Sequence, residues 1–174
     1  MQHLWAPWRM EYVGGGNDES GCLFCRAYEP GDDRARLVLW RGPLALVMLN
    51  RYPYASGHVM IAPRAHTADP SALPPEAALE IMRLVAASTR VLADAMAPHG
   101  FNVGMNLGRA AGAGVEHHLH MHVVPRWIGD TNFMPVLGDV KVLPEHLLAT
   151  QAKLAPRFAE ALGRGMPGPG EVGR

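Results

Sequence analysis

One seven-residue run constrains this chain more than any other: His118-Leu119-His120-Met121-His122-Val123-Val124. Polar and apolar residues alternate with a period of two, the period of a strand and not of a helix. In an extended backbone His118, His120 and His122 project from one face, while Leu119, Met121 and Val123 project from the other and can enter a core. Four of the nine histidines fall within residues 117–122. Imidazoles are costly to bury without partners, so such clustering points to a site. A surface strand carrying three satisfied histidines is the competing reading.

The segments around this run supply a sheet for it. Leu37–Trp40 and Ala45–Leu49 read as short strands about a turn at Gly42-Pro43. His58–Ala62 reads as another, after the turn-like Pro53-Tyr54-Ala55-Ser56-Gly57. Residues 75–98 read as a long helix. Pro74 and Pro75 stand at its start, and Leu79, Met82, Leu84, Val85, Val91, Leu92 and Met96 recur at helical spacing. Phe101–Leu107 reads as a strand, Gly108–Gly114 as a loop, His118–Val124 as a strand stopped by Pro125, and Pro144–Leu162 as a second helix. Short connections suit antiparallel pairing. The expected fold is α+β: one domain over residues 1–162, with an antiparallel sheet of about five strands, a long helix packed on it and a C-terminal helix. The glycine- and proline-rich residues 163–174 read as a mobile tail.

Composition narrows the function by exclusion. The chain has 174 residues, 48% hydrophobic and 18% charged, an ordinary globular balance with room for a core. Sixteen basic residues cancel sixteen acidic ones, so no global field recruits nucleic acid or a membrane, and any phosphate site must be local. No apolar run approaches the roughly 18 residues of a transmembrane helix. The start, Met1-Gln2-His3-Leu4-Trp5, lacks the pattern of a signal peptide. A cytoplasmic location follows as an expectation, and it argues against a disulfide between Cys22 and Cys25.

Two chemistries compete for the histidine strand. Three imidazoles could ligate a metal, but alternate strand residues lie roughly 6–7 Å apart, so one ion would take two of them and a third only with strain. Alternatively, a neutral imidazole is a good nucleophile near neutral pH and a good leaving group afterwards, which suits transfer at phosphorus. The preceding loop, Gly108-Arg109-Ala110-Ala111-Gly112-Ala113-Gly114-Val115, can present backbone N–H groups to an anion, and Asn106 adds an amide just before it. The loop favours phosphorus chemistry.

The run at 118–124 resembles the signature of the histidine triad (HIT) family, His-φ-His-φ-His-φ-φ with φ apolar, at every position. Asn50-Arg51-Tyr52-Pro53 followed by Gly57-His58-Val59-Met60-Ile61-Ala62-Pro63 is similar to the family's nucleotide-binding strand pair. Leu4-Trp5-Ala6-Pro7-Trp8-Arg9, and Pro125 through Pro135, resemble the branch that contains bacterial diadenosine tetraphosphate phosphorylases. The resemblance implies that His120 attacks the α-phosphorus and forms a nucleotidyl-histidine, with a backbone carbonyl holding its other ring N–H. It implies that His122 and His58 contact the phosphate. Asn106 and the N–H groups of Gly114 and Val115 would stabilise charge, Asn50 would bind ribose hydroxyls, and apolar side chains of the first strands would sandwich the base. No catalytic metal is implied. The acceptor decides between hydrolysis and phosphorolysis of a dinucleoside polyphosphate or related nucleotide. The phosphorylase branch carries Gly-Ser where this chain has Ala113-Gly114.

The resemblance also implies a structural zinc in some members, held here by Cys22, Cys25, His66 and His118. Reduced free thiols and a redox pair are the alternatives. The family further implies a homodimer. His118 would then be a metal ligand or an orienting group rather than an equal partner in catalysis. His117 has the wrong parity for the triad face and reads as solvated or capping. Trp5, Trp8 and Trp127 read as core, Arg126 and Asp130 as a solvated pair or a pocket lining. His3, His99 and His146 receive no role. A weakly active nucleotide-binding protein and a metal-binding regulator remain the rival functions.

Overall fold

The computed structural model describes residues 21–29, 31–130 and 145–163. Trp5, Trp8, Pro135, Pro144 and the tail beyond Gly163 therefore lie outside the described residues. The elements are α1 (Leu23–Arg26), β1 (Val38–Arg41), β2 (Ala45–Leu49), β3 (Val59–Pro63), α2 (Pro75–Met96), β4 (Gly100–Met105), β5 (Met121–Arg126) and α3 (Leu147–Leu162). The strands form one antiparallel five-stranded sheet in the order β1-β2-β3-β5-β4, the α+β architecture expected.

The sheet has two unlike faces. On one, Leu39, Val47, Leu49, Val59, Ile61 and Val123 bury against Leu84, Val85 and Leu92 of α2 and Leu154 and Phe158 of α3. On the other, Val38, Leu46, Met48, Met60 and Ala62 lie beneath Phe24 and Ala27 of the α1 segment. The pairing Met60↔His122 puts the histidines on this second face, while Ile61↔Met121 puts the intervening residues on the helix-covered one. Leu119 (4% exposed) and Val123 (0%) are core residues, as the alternation required.

Several boundaries differ from expectation, three of them for identifiable local reasons. β5 begins at Met121, not His118, because Pro63 on β3 has no N–H to extend the ladder. Leu119 N–H instead donates to Thr67 O at 2.6 Å. Pro125 does not stop β5. Pairing with β3 has already ended at Val123, so that stretch answers to β4 alone. Helix α2 stops at Met96 because Ala97 turns left-handed, at φ 47°. Leu79 and Met82 are 52% and 55% exposed, so the apolar spacing that included them overstates the buried face. That face is completed by Ile81 and by Ala77, Ala87 and Ser88, small residues that let the helix approach the sheet.

Candidate active site and metal centre

His118 and His120 are each held by a backbone carbonyl, and His122 by the His58 ring, and these contacts fix where each proton sits. His118 Nε2 lies 2.8 Å from Pro63 O, which can only accept, so Nε2 carries the proton and Nδ1 presents a lone pair. His120 Nδ1 lies 2.9 Å from His118 O, so Nδ1–H donates and Nε2 is left unprotonated, the form a nucleophile needs. The third assignment passes through His58. The amide N–H of Tyr54 donates to His58 Nδ1 at 3.1 Å, so His58 carries its proton on Nε2. That proton faces His122 Nδ1 at 3.0 Å, and His122 in turn holds its own proton on Nε2.

Burial reinforces this division of labour. His120 is 5% exposed, and burial holds its imidazole below the ordinary value while the His118 carbonyl opposes that pull. The ring therefore stays neutral near pH 7. Phe24, fully buried, lies 4.9 Å from the His120 ring and 5.1 Å from the His118 ring, so it walls both. The His120 and His122 rings meet edge to face at 4.8 Å. His58 is 0% exposed with both ring nitrogens engaged, one position behind His122 rather than at the surface.

The other expected residues take unequal places. Asn50 lies beside His58, with Nδ2 at 3.4 Å from Nδ1, and accepts from Tyr52 N–H. Asn106 lies just past β4 and lines an open trough with His122. Gly114 is exposed and Val115 half-buried, in a loop whose turns at Gly108 and Gly112 have φ of 78° and 84°. A φ in that range favours glycine. The side chains of β1 and β2 are less open than a base sandwich implies: Leu46 is 0% and Leu49 1% exposed. His117 is exposed. Sequence reasoning missed Phe24, Tyr54 and Pro63. Phe24 stood inside the Cys-x-x-Cys and could have been noticed, but the other two act through backbone atoms, which no side-chain motif reveals. It also missed structural uses for His99, which accepts from Ile128 N–H, and His146, which caps α3.

Cys22, Cys25, His66 and His118 converge from three separate segments. Their four ligand atoms all lie within 4.8 Å of one another, a cluster able to hold a metal ion. Individual separations are 3.2 Å from Cys22 Sγ to His118 Nδ1, 3.2 Å from Cys25 Sγ to His66 Nδ1, 3.6 Å from Cys25 Sγ to His118 Nδ1 and 3.2 Å between the two Nδ1 atoms. A tetrahedral zinc with ordinary Zn–S and Zn–N bonds needs ligand edges of about 3.3–3.8 Å. The donor set fits that ion in both chemistry and spacing. The Pro63 carbonyl supplies the outer hydrogen bond that turns the His118 Nδ1 lone pair inward.

Comparisons with known proteins agree with this geometry. The model of the HIT domain matches residues 34–127. An AP-4-A phosphorylase of Mycobacterium tuberculosis is 37% identical over 167 residues, covering 91% of this chain and 85% of that protein. An adenosine 5′-monophosphoramidase of Schizosaccharomyces pombe is 31% identical, over 60% of this chain and 74% of its own length. Among solved structures, a Zn-bound histidine triad family protein from Mycobacterium smegmatis superposes with a TM-score of 0.61 at 24% identity, covering 80% of this chain and 94% of that one. A matched domain spanning more than half of the residues, with the three histidines inside it, makes this chain a member of the HIT family.

Proposed function

We propose that this protein cleaves a dinucleoside polyphosphate, or a related nucleoside phosphate, at the α-phosphorus through a nucleotidyl-His120 intermediate. The observation that carries the reading is the unprotonated Nε2 of His120, set by the His118 carbonyl. In the first step His120 Nε2 forms a bond to phosphorus while the bond to the leaving phosphate oxygen breaks, and that oxygen leaves with the electron pair. His122 Nε2–H, oriented through His58, donates to a phosphate oxygen as charge develops. Asn106 and the Gly114 and Val115 amides assist from the loop. In the second step water or inorganic phosphate attacks phosphorus and releases His120. The likeness to an AP-4-A phosphorylase along most of the chain supports the substrate class.

The same reading includes a structural zinc at Cys22, Cys25, His66 and His118. When bound, the ion supplies a cross-link and no reactive chemistry. It also includes a homodimer. β4 is an outer strand with no second neighbour among the described residues, and Val103, Met105, Leu79 and Met82 leave apolar surface exposed.

Incubation with diadenosine tetraphosphate, with and without phosphate, followed by intact mass, tests the proposal. We expect an adenylylated protein in rapid quench. ADP plus ATP only with phosphate identifies phosphorolysis, and AMP plus ATP without it identifies hydrolysis. His120→Ala should stay folded and lose both adduct and turnover. Turnover retained in that variant would end the covalent mechanism.

A further inference from the structure

An open trough of about 320 Å³ begins at His122 and is lined by Tyr54, Asn102, Gly104, Asn106, Val124 and Arg126, together with the flanking Val103 and Met105. Its position follows from register. Gly104 faces His122, Asn102 faces Val124 and Gly100 faces Arg126 across the β4–β5 pair, all on the histidine face. Along that face the order is His120, just before β5, then His122, Val124 and Arg126 on the strand. His120 thus lies level with the Asn106 end of the trough, and the rest of the trough extends past His122 in the opposite direction, toward Arg126. In an in-line displacement at phosphorus the attacking and leaving atoms stand on opposite sides. On the β3 side of His122 the space is already filled by His58 and Met60, at 0% and 4% exposure.

Gly104 keeps the trough open. It is directly opposite His122, and a Cβ built there meets no heavy atom within 4 Å. The absence of a side chain is therefore not required for packing, and its effect is to leave space beside the triad. The far end carries a balanced charge. Arg126 donates from Nε and Nη2 to Asp130 and from Nη1 to Asn102 Oδ1 at 2.9 Å. A guanidinium already paired with a carboxylate is a poor phosphate site, and Asn102 retains its amide N–H groups for hydroxyls. Val124 and the Tyr54 ring add apolar surface. From His122 to Arg126 the strand spans about 13 Å, at about 3.3 Å per residue.

Building on the proposed nucleotidyl transfer, we infer that this trough is the leaving-group subsite. It holds the departing nucleoside polyphosphate with its phosphates at His122 and its uncharged nucleoside toward Asn102 and Arg126. Gly104 is the residue that admits a leaving group of that bulk.

The test compares wild type with Gly104→Leu on two adenylyl donors: diadenosine tetraphosphate, and adenosine 5′-phosphorimidazolide, whose leaving group is a single small ring. We expect Gly104→Leu to lose about tenfold or more in kcat/KM on the first, and less than about twofold on the second. Equal losses on both donors would mean that the trough holds the transferred nucleotide or that the strand is disturbed. No loss on either would mean that it holds nothing. Either result overturns the inference while leaving nucleotidyl transfer intact. A wild type that adenylylates from neither donor overturns the underlying reading, and this inference with it.

Discussion

At the scale of single residues, the site is a problem of proton placement. Three imidazoles of identical chemistry have their protons placed by Pro63 O, by His118 O and, through His58, by Tyr54 N–H. Phe24 keeps those choices in register by packing on two of the rings. Phe24→Ala should cost about 3–5 kcal/mol of stability, as truncation of a buried aromatic does, and should also slow adduct formation. Phe24→Leu separates the two effects. It keeps most of the volume but no flat wall, so thermal unfolding should show a smaller loss while the rate of His120 adenylylation still falls. Wild-type adduct kinetics in Phe24→Leu would reduce Phe24 to core filling. At this scale the sequence was informative where side chains act. The triad parity, the Cys-x-x-Cys and His66 all stand where the structure gathers them. His58 was legible as a site residue but not as one screened behind His122, because burial depends on β3 and β5 lying side by side.

At the scale of elements, alternation and helical spacing named all five strands and both long helices, while their ends depended on backbone chemistry. Pro63 shortens β5 by withholding a donor from the next strand, a long-range effect invisible along the chain. Within β1 the register slips between Val38 and Trp40, and Gln151 of α3 answers the freed Val38 carbonyl at 3.0 Å. Glu80 of α2 accepts from Leu44 and Ala45 N–H, tying the helix to the start of β2. These contacts pin the helices to the sheet by polar groups as well as by burial. The C-cap of α2 is less well fitted. Ala97 holds a left-handed conformation that costs a residue with a Cβ. Ala97→Gly should therefore stabilise the protein by about 0.4–1 kcal/mol, with unchanged turnover. A lower melting temperature in that variant would show that Ala97 earns its place through contacts outside the helix end.

At the scale of the whole molecule, the metal cluster joins parts that the sheet alone does not. Cys22 caps α1 and Cys25 lies within it, His66 follows β3, and His118 precedes β5. The segment that bears Phe24 is a single helical turn, too short to be stable by itself. An ion at this cluster would clamp it onto the histidine face. A chelator that strips the ion, or Cys25→Ser, should lower the melting temperature by about 10 °C, given a tightly bound ligand worth about 4 kcal/mol in a chain of this size. Metal content should fall in parallel with the appearance of two titratable thiols after chelation, or of one in Cys25→Ser. Equal melting temperatures and no metal in the untreated protein would leave a reduced dithiol in its place. Among the described residues no helix is long and apolar enough to cross a membrane.

The backbone origin of the tautomers has a consequence for how such a protein diversifies. A point substitution replaces a side chain but leaves the carbonyl and amide at the same position. Changes of side chain at Tyr54 or along the trough can therefore alter which molecule is accepted while His120 keeps the same proton arrangement. Under the proposed mechanism, specificity is open to mutation and reactivity is insulated from it. Laboratory libraries aimed at new substrates should accordingly randomise Tyr54, Asn102 and Gly104 freely and leave the path of the chain alone.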